Sequence, residues 1–213
     1  MKILALDTSS RILSVAIADE SSLLFESERP ADGGHSSSLA PEIDGLLRGG
    51  RLGWDDIDVI AVGLGPGSFT GLRVGMATAK TLAWSLGKKL VGVASLEAVA
   101  AAAAAESGAS RFAVLLDAKR GQFYGALYEK KNGSLREKMR PAVLTPAELA
   151  RWPEAEKIAV EGAVHPRARF VASIGARLFR EKKFLDPFRA EPLYLHPRDC
   201  NATIKPKTRG GKR

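Results

Sequence analysis

Between residues 63 and 75 the chain gathers five glycines and a proline in one stretch, Gly63-Leu64-Gly65-Pro66-Gly67-Ser68-Phe69-Thr70-Gly71-Leu72-Arg73-Val74-Gly75. The apolar run Asp58-Val59-Ile60-Ala61-Val62 leads in, and Thr70 to Leu86, closed by Gly87, reads as a long helix leading out. A strand that enters a tight turn and leaves it as a helix is a crossover unit of the α/β class. Free amides at the helix start suit an anion. Neither standard phosphate loop is present, however. A Walker loop needs Gly-Lys-Ser/Thr where this chain has Gly67-Ser68-Phe69, and the dinucleotide fingerprint needs its third glycine at position 68.

The helix gives its glycines a second use. Gly71, Gly75, Ala79 and Ala83 recur at steps of four and form one face almost without side-chain bulk. Glycine inside a helix costs about 0.5–1 kcal/mol relative to alanine, which close packing of another backbone would explain. The neighbour is either internal or a helix of another subunit, and the face is a candidate association surface.

Upstream, Ile3-Leu4-Ala5-Leu6 is a strand pattern buried on both faces and ending at Asp7. Leu13, Val15 and Ile17 alternate with small residues, and Leu23 to Ser27 continues as a third strand. The serines after Gly33-Gly34-His35 are expected to cap a helix with apolar positions Leu39, Ile43, Leu46 and Leu47. Lys89 to Val93 is a fifth strand, and Leu96 to Glu106 an alanine-rich helix. A second unit opens with Phe112 to Asp117, which echoes the first strand and its aspartate. It pairs with Gln122 to Tyr128 and turns at Asn132-Gly133. Thr145-Pro146-Ala147-Glu148 is a capping box. Residues 157–162 read as a strand and Ala168 to Phe184 as an amphipathic helix. The expected division is an N-terminal domain over 1–108, a smaller one over 109–204 and a flexible basic tail over 205–213.

The formal charge of +8 is local. Residues 1–160 hold 19 Lys/Arg against 19 Asp/Glu, and residues 161–213 hold 13 against 5. The tail is either a solvated end or a weak, salt-sensitive contact for RNA. Cys200 is the only cysteine, which excludes an internal disulfide and a cysteine metal cluster. His35, His165 and His196 are isolated, so no His-Glu-x-x-His site exists, and no Gly-x-Ser-x-Gly elbow is present. Met1-Lys2 leads straight into a strand pattern rather than a signal sequence, and no run is long enough to span a bilayer, so the default location is cytoplasmic. Asp7, at the carboxyl end of the first strand, stands where α/β proteins hold ligands or metals. A turn hydrogen bond is the plainer alternative, and Asp117 with Lys119 and Arg120 poses the same choice.

Several segments together resemble the TsaB family, also called YeaZ: Ile3 to Ser9, the His35-Ser36 helix entry, Gly63 to Gly75, Gly92-Val93-Ala94-Ser95-Leu96, and Leu116 to Tyr124. The match runs well over residues 1 to about 130, and Gly-Pro-Gly-Ser-Phe-Thr-Gly-x-Arg is its most specific part. Pro192 to Leu195 resembles the family's closing motif loosely. The resemblance implies an α/β actin-like, Hsp70-like ATPase (ribonuclease H-like) fold with two related βββαβα-type halves, the second reduced. It also implies a noncatalytic partner of a TsaD-like subunit in forming N6-threonylcarbamoyladenosine at position 37 of tRNAs that read codons beginning with adenine. A TsaE-like ATPase joins the pair, and the chain pairs with itself when alone. The family's pairing helices fall here on about His35 to Leu47 and Thr70 to Leu86, making His35, Leu39, Ile43, Gly71, Arg73, Gly75, Ala79 and Ala83 the expected partner interface.

The resemblance also locates a degenerate nucleotide site at Asp7, Ser9, Asp117 and Lys119. Ser9 stands where the fold's first phosphate motif has glycine, and the paired metal-binding histidines of TsaD are missing after His35. No intrinsic cofactor is expected beyond weak ATP, ADP or magnesium binding there. The alternative function is an actin-fold ATPase or small kinase acting on its own. tRNA would be met indirectly or through the tail, and no membrane is involved.

Overall fold

A computed structural model describes residues 1–20, 22–31, 34–132, 134–160 and 164–195. His196, Cys200 and the basic tail lie outside the described residues, as do Gly33, Gly133 and residues 161–162.

Two sheets carry the chain. The first has the order β3-β2-β1-β4-β5, from β1 (Ile3–Asp7), β2 (Ile12–Ala18), β3 (Leu23–Pro30), β4 (Val59–Gly63) and β5 (Lys89–Val93). The second has the order β8-β7-β6-β9, from β6 (Arg111–Lys119), β7 (Gln122–Lys131), β8 (Ser134–Leu144) and β9 (Glu156–Ala159). In each, two antiparallel hairpin pairings are followed by a parallel pairing to the first strand of the unit. The second sheet thus repeats the first and stops one strand short.

The first sheet is covered on both faces. Helices α1 (His35–Gly49) and α2 (Phe69–Ser85) bury Leu39, Ile43, Met76 and Ala79 against Leu4, Leu6, Val15 and Ile60. On the opposite face α5 (Ala168–Arg180) packs Val171, Ala172 and Ile174 onto Ile3, Ala5, Ala61 and Val91. Burying one such aliphatic side chain contributes about 1.5–3 kcal/mol, so this face holds α5 firmly. Helix α3 (Ser95–Glu106) lies between the sheets: Ala98 joins α5, while Leu96, Val99, Ala100 and Ala104 meet Phe112, Val114 and Tyr128 of the second sheet. Its alanines let two layers approach it at once.

The second unit begins after residue 108 in sequence, and α5 and the strap after it return to the first sheet. Leu185 bridges Leu90 of β5, and the Leu193 amide donates to Leu64 O at 2.8 Å. Helix α5 is also shorter than expected, ending at Arg180 with Lys182 at φ 56. The Thr145–Glu148 capping box forms at the start of the short helix α4 (Pro146–Leu149). The serine cap of α1 does not: Gly34 is its N-cap, and Ser36 to Ser38 lie within the first turns.

Candidate functional site

The carboxyl end of β1 is a knot of short polar side chains. Asp7 is completely buried and accepts from the Ser9 amide (2.8 Å), the Ser9 hydroxyl (2.6 Å) and the Ser95 hydroxyl (2.6 Å). Ser95 in turn accepts from the Gly65 amide at 3.0 Å. The aspartate therefore joins the β1 turn, the start of α3 and the glycine loop. Burial raises its carboxyl above the ordinary 3.8, while the hydrogen bonds from Ser9 and Ser95 pull it back.

The glycines of the loop are explained by the same knot. A methyl group at Gly63 would overlap the Asp7 carboxylate, at Gly67 and Gly71 the carbonyl oxygens of Ser9 and Thr8, and at Gly75 the Thr8 hydroxyl. The Ser68 amide donates to Ser9 O at 2.7 Å, and the Ser68 hydroxyl caps α2 by accepting from Gly71 N at 3.2 Å. The Thr8 hydroxyl donates to Gly71 O at 2.7 Å. Amides that a phosphate loop would turn toward a ligand here bind the chain itself.

Most of the expected interface positions pack within the chain itself. Gly71, Gly75, Ala79 and Ala83 are buried, and the bulk-free face of α2 meets β1 and the Thr8 turn. Leu39 and Ile43 are likewise core residues, since the apolar stripe of α1 turns to the sheet. His35 is half-buried beside Gly71, with its Nε2 3.0 Å from Ser10 O. Of the eight expected positions Arg73 is exposed, its guanidinium 3.8 Å over the Phe69 ring.

What α2 presents outward is a surface that sequence reasoning missed. Phe69 (49% exposed) packs against Tyr194 at one end, and Trp84 (64%) meets Phe188 (73%) edge-on at the other, with ring centroids 6.2 Å apart. A groove of about 390 Å³ lies between them, along Ala77 and Thr81. Lys80 anchors the strap by donating to Ala190 O at 3.0 Å and Phe188 O at 3.4 Å. Exposed aromatics at steps of the helix were the available signal; their strap partners lie more than 100 positions away.

Asp117 repeats Asp7 in only one respect. Its Oδ1 accepts the amide two residues on, Lys119 N at 2.7 Å, as Asp7 does from Ser9. Its side chain is 59% exposed, and its second oxygen pairs with Lys119 Nζ at 2.8 Å, which holds its carboxyl below the usual range. The Asp7–Ser9 and Asp117–Lys119 pairs are each closed on themselves and share no hydrogen bond. Asp7, with both oxygens spent on the protein, fits a brace better than a magnesium or nucleotide ligand. Among the described residues no three His, Cys, Asp or Glu side chains converge as metal ligands do, and no helix is long and apolar enough to cross a membrane.

Comparison with known proteins places this geometry. The family model for TsaD, tRNA N6-adenosine threonylcarbamoyltransferase, matches residues 29–182. The tRNA threonylcarbamoyladenosine biosynthesis protein TsaB of Escherichia coli is 30% identical over 92% of this chain and 94% of its own length. The chain belongs to the TsaB (YeaZ) family. TsaB of Bacillus subtilis is 40% identical over 63% of this chain, a stretch spanning 58% of that relative. The solved structure of YeaZ from Pseudomonas aeruginosa superimposes with a TM-score of 0.80 at 28% identity, covering 91% of this chain and 99% of that one. The fold is thus the actin-like, ribonuclease H-like α/β fold of the TsaB family. Gly92 to Leu96, one of the segments resembling TsaB, contains Ser95, whose role as the partner of Asp7 emerges only in three dimensions.

Proposed function

We propose that this chain acts in the biosynthesis of N6-threonylcarbamoyladenosine in tRNA as the noncatalytic partner of a TsaD-like subunit. The modified nucleoside is the one at position 37 of tRNAs that read codons beginning with adenine. Near-full-length similarity to TsaB of Escherichia coli supports the pathway. The carrying observation for the noncatalytic role is the closure of the Asp7 knot, whose carboxylate and loop amides serve the fold.

The docking surface in this reading is the outward side of α1 and α2, where Arg73, Ala77 and Trp84 face solvent. Exposed aromatics and arginine beside small residues are the composition of interface anchors. A TsaE-like ATPase joins the assembled pair, and without its partner the chain pairs with itself through the same helices.

Co-expression with the TsaD of the same organism tests this. The two should co-elute, and the chain should restore N6-threonylcarbamoyladenosine in Escherichia coli depleted of its own TsaB, measured by nucleoside mass spectrometry. Separate elution, or modification by the TsaD preparation undiminished when this chain is omitted, would refute the reading.

A further inference from the structure

Helix α3 packs on one face of the second sheet, and the other face carries exposed charged side chains toward the end formed by Lys131 and Ser134. Phe112, Val114, Ala126 and Tyr128 point to α3 and are buried. Strand alternation sends Arg111, Ala113, Leu127, Glu129 and Lys131 to the other face. There, Gly125 and Leu115 meet Leu144 and Trp152, and Ala113 (2% exposed) and Leu127 (3%) are buried, while Arg111, Lys131 and Arg136 beyond them are exposed.

That end carries mostly positive charge. Register sets Arg111, Glu129 and Arg136 side by side across β6, β7 and β8, and Lys157 of β9 beside Ala113. Glu129 is the carboxylate of this cluster, accepting from Arg111 Nε at 3.1 Å with Lys138 Nζ at 3.5 Å. Lys131, Arg136 and Lys157 are exposed and have no carboxylate partner among the described residues. With strands about 4.8 Å apart, the cations cross four strands in a band about 14 Å wide. Five positive groups around one negative group, held on a rigid sheet, form an electrostatic footprint for a polyanion.

We infer that this band of exposed cations on the second sheet is a contact site for the sugar–phosphate backbone of tRNA. The inference rests on the tRNA-modification reading above, which supplies a polyanion of this kind. The contacts are phosphate contacts, which position an RNA without reading its bases. They are separate from the helices proposed to meet the TsaD-like subunit, which pack on the other sheet.

The test replaces the three cations that hold no carboxylate, so that the fold loses no ion pair: Lys131→Gln, Arg136→Gln and Lys157→Gln in one full-length chain. A control removes the same charge elsewhere with Arg180→Gln, Lys182→Gln and Lys183→Gln. Binding of unmodified tRNA is followed by fluorescence anisotropy over a salt series, with the TsaD-like subunit present, and co-elution with that subunit is checked for every variant. The band variant should bind about tenfold more weakly or worse at low salt, and its log–log salt slope should flatten by about 2 to 3. The control should keep the parent slope to within about 1.

Equal binding by the band variant and parent would overturn the inference, as would an equal loss in both triple variants, which would mean net charge alone. So would binding to phosphatidylserine vesicles without binding to tRNA. If the parent co-elutes with the TsaD-like subunit and these results still fail, the partner reading stands and the contact site falls. If the parent does not co-elute, the partner reading fails by itself, and binding by the isolated chain decides the site.

Discussion

Ser95 donates its hydroxyl proton to Asp7 Oδ2 at 2.6 Å although 88 positions separate the two residues. That bond, with the Gly65 amide donating to the same hydroxyl, ties three loops at the end of the first sheet. Ser95→Ala would leave a buried carboxylate oxygen and a buried amide unpaired. The expected cost is about 1–3 kcal/mol, read as a melting temperature lower by at least about 2 °C. An unchanged melting curve would show that the knot contributes nothing to stability.

The same carboxylate predicts a pH dependence. Burial raises the folded-state pKa of Asp7 above its ordinary value. A carboxyl shifted in that direction contributes stability that is fully present below its unfolded pKa and is lost as pH rises through the folded value. Asp7→Asn keeps the shape and cannot titrate. The stability of the parent relative to Asp7→Asn, from urea titrations, should therefore increase as pH falls from neutral toward about 4. A difference constant across that range would contradict the buried-carboxylate account.

Gly71 and Gly45 make a matched pair. Both are helical, but a methyl group at Gly71 collides with the Thr8 backbone carbonyl, whereas nothing lies within 4 Å of one at Gly45. Gly71→Ala should destabilise by about 1–3 kcal/mol through overpacking, and Gly45→Ala should stabilise by about 0.5–1 kcal/mol. Chemical denaturation of the two variants checks the opposite signs. Gly75→Leu would strike Thr8 and disturb the fold, so it cannot report on the partner interface alone.

Trp84 is the better probe of association, being 64% exposed on the outward side of α2. Trp84→Ala should leave the melting temperature within about 2 °C of the parent. It should weaken the complex with a TsaD-like subunit by about 2 kcal/mol, or roughly thirtyfold, as loss of an aromatic anchor does. Isothermal titration calorimetry measures the second effect, and unaltered affinity would exclude this part of α2 from the interface.

Lys80→Met retains the aliphatic stem and removes the two hydrogen bonds to the strap carbonyls of Phe188 and Ala190. Loss of about 1 kcal/mol of local stability should speed hydrogen exchange at the Leu193 amide roughly fivefold. The Ile60 and Val62 amides of the central strand should exchange at parent rates. Equal acceleration in both places would mean that the strap has no local opening of its own.

Legibility in the sequence followed the range of the interactions concerned. The buried strand Ile3 to Leu6 and the Thr145–Glu148 capping box depend on neighbours within a few residues, and both form as read. The step-of-four face of α2 is real, but a pattern of small residues shows that something comes close without identifying it. The close neighbour is the Thr8 turn. Helix α5 is plainly amphipathic, yet which sheet receives its apolar face is settled by the whole fold. Asp7 at the end of β1 and Asp117 near the end of β6 read alike, and their surroundings divide them: Ser9 and Ser95 enclose one, while Lys119 pairs with the other in solvent. Strand β8 was legible only as the far side of a hairpin, because Arg136, Glu137, Lys138 and Arg140 obscure its alternation.

The crossing of α5 onto the first sheet means that the two repeats do not share a simple seam. A duplicated unit ordinarily keeps its own roof, so that the copies can be separated or can tilt apart around something held between them. Here the later copy has lent its last helix to the earlier one and closes the arrangement with the strap. Severing the backbone between α3 and β6 would strip one piece of its cover and leave the other with an orphaned greasy helix, so the two halves stand or melt together.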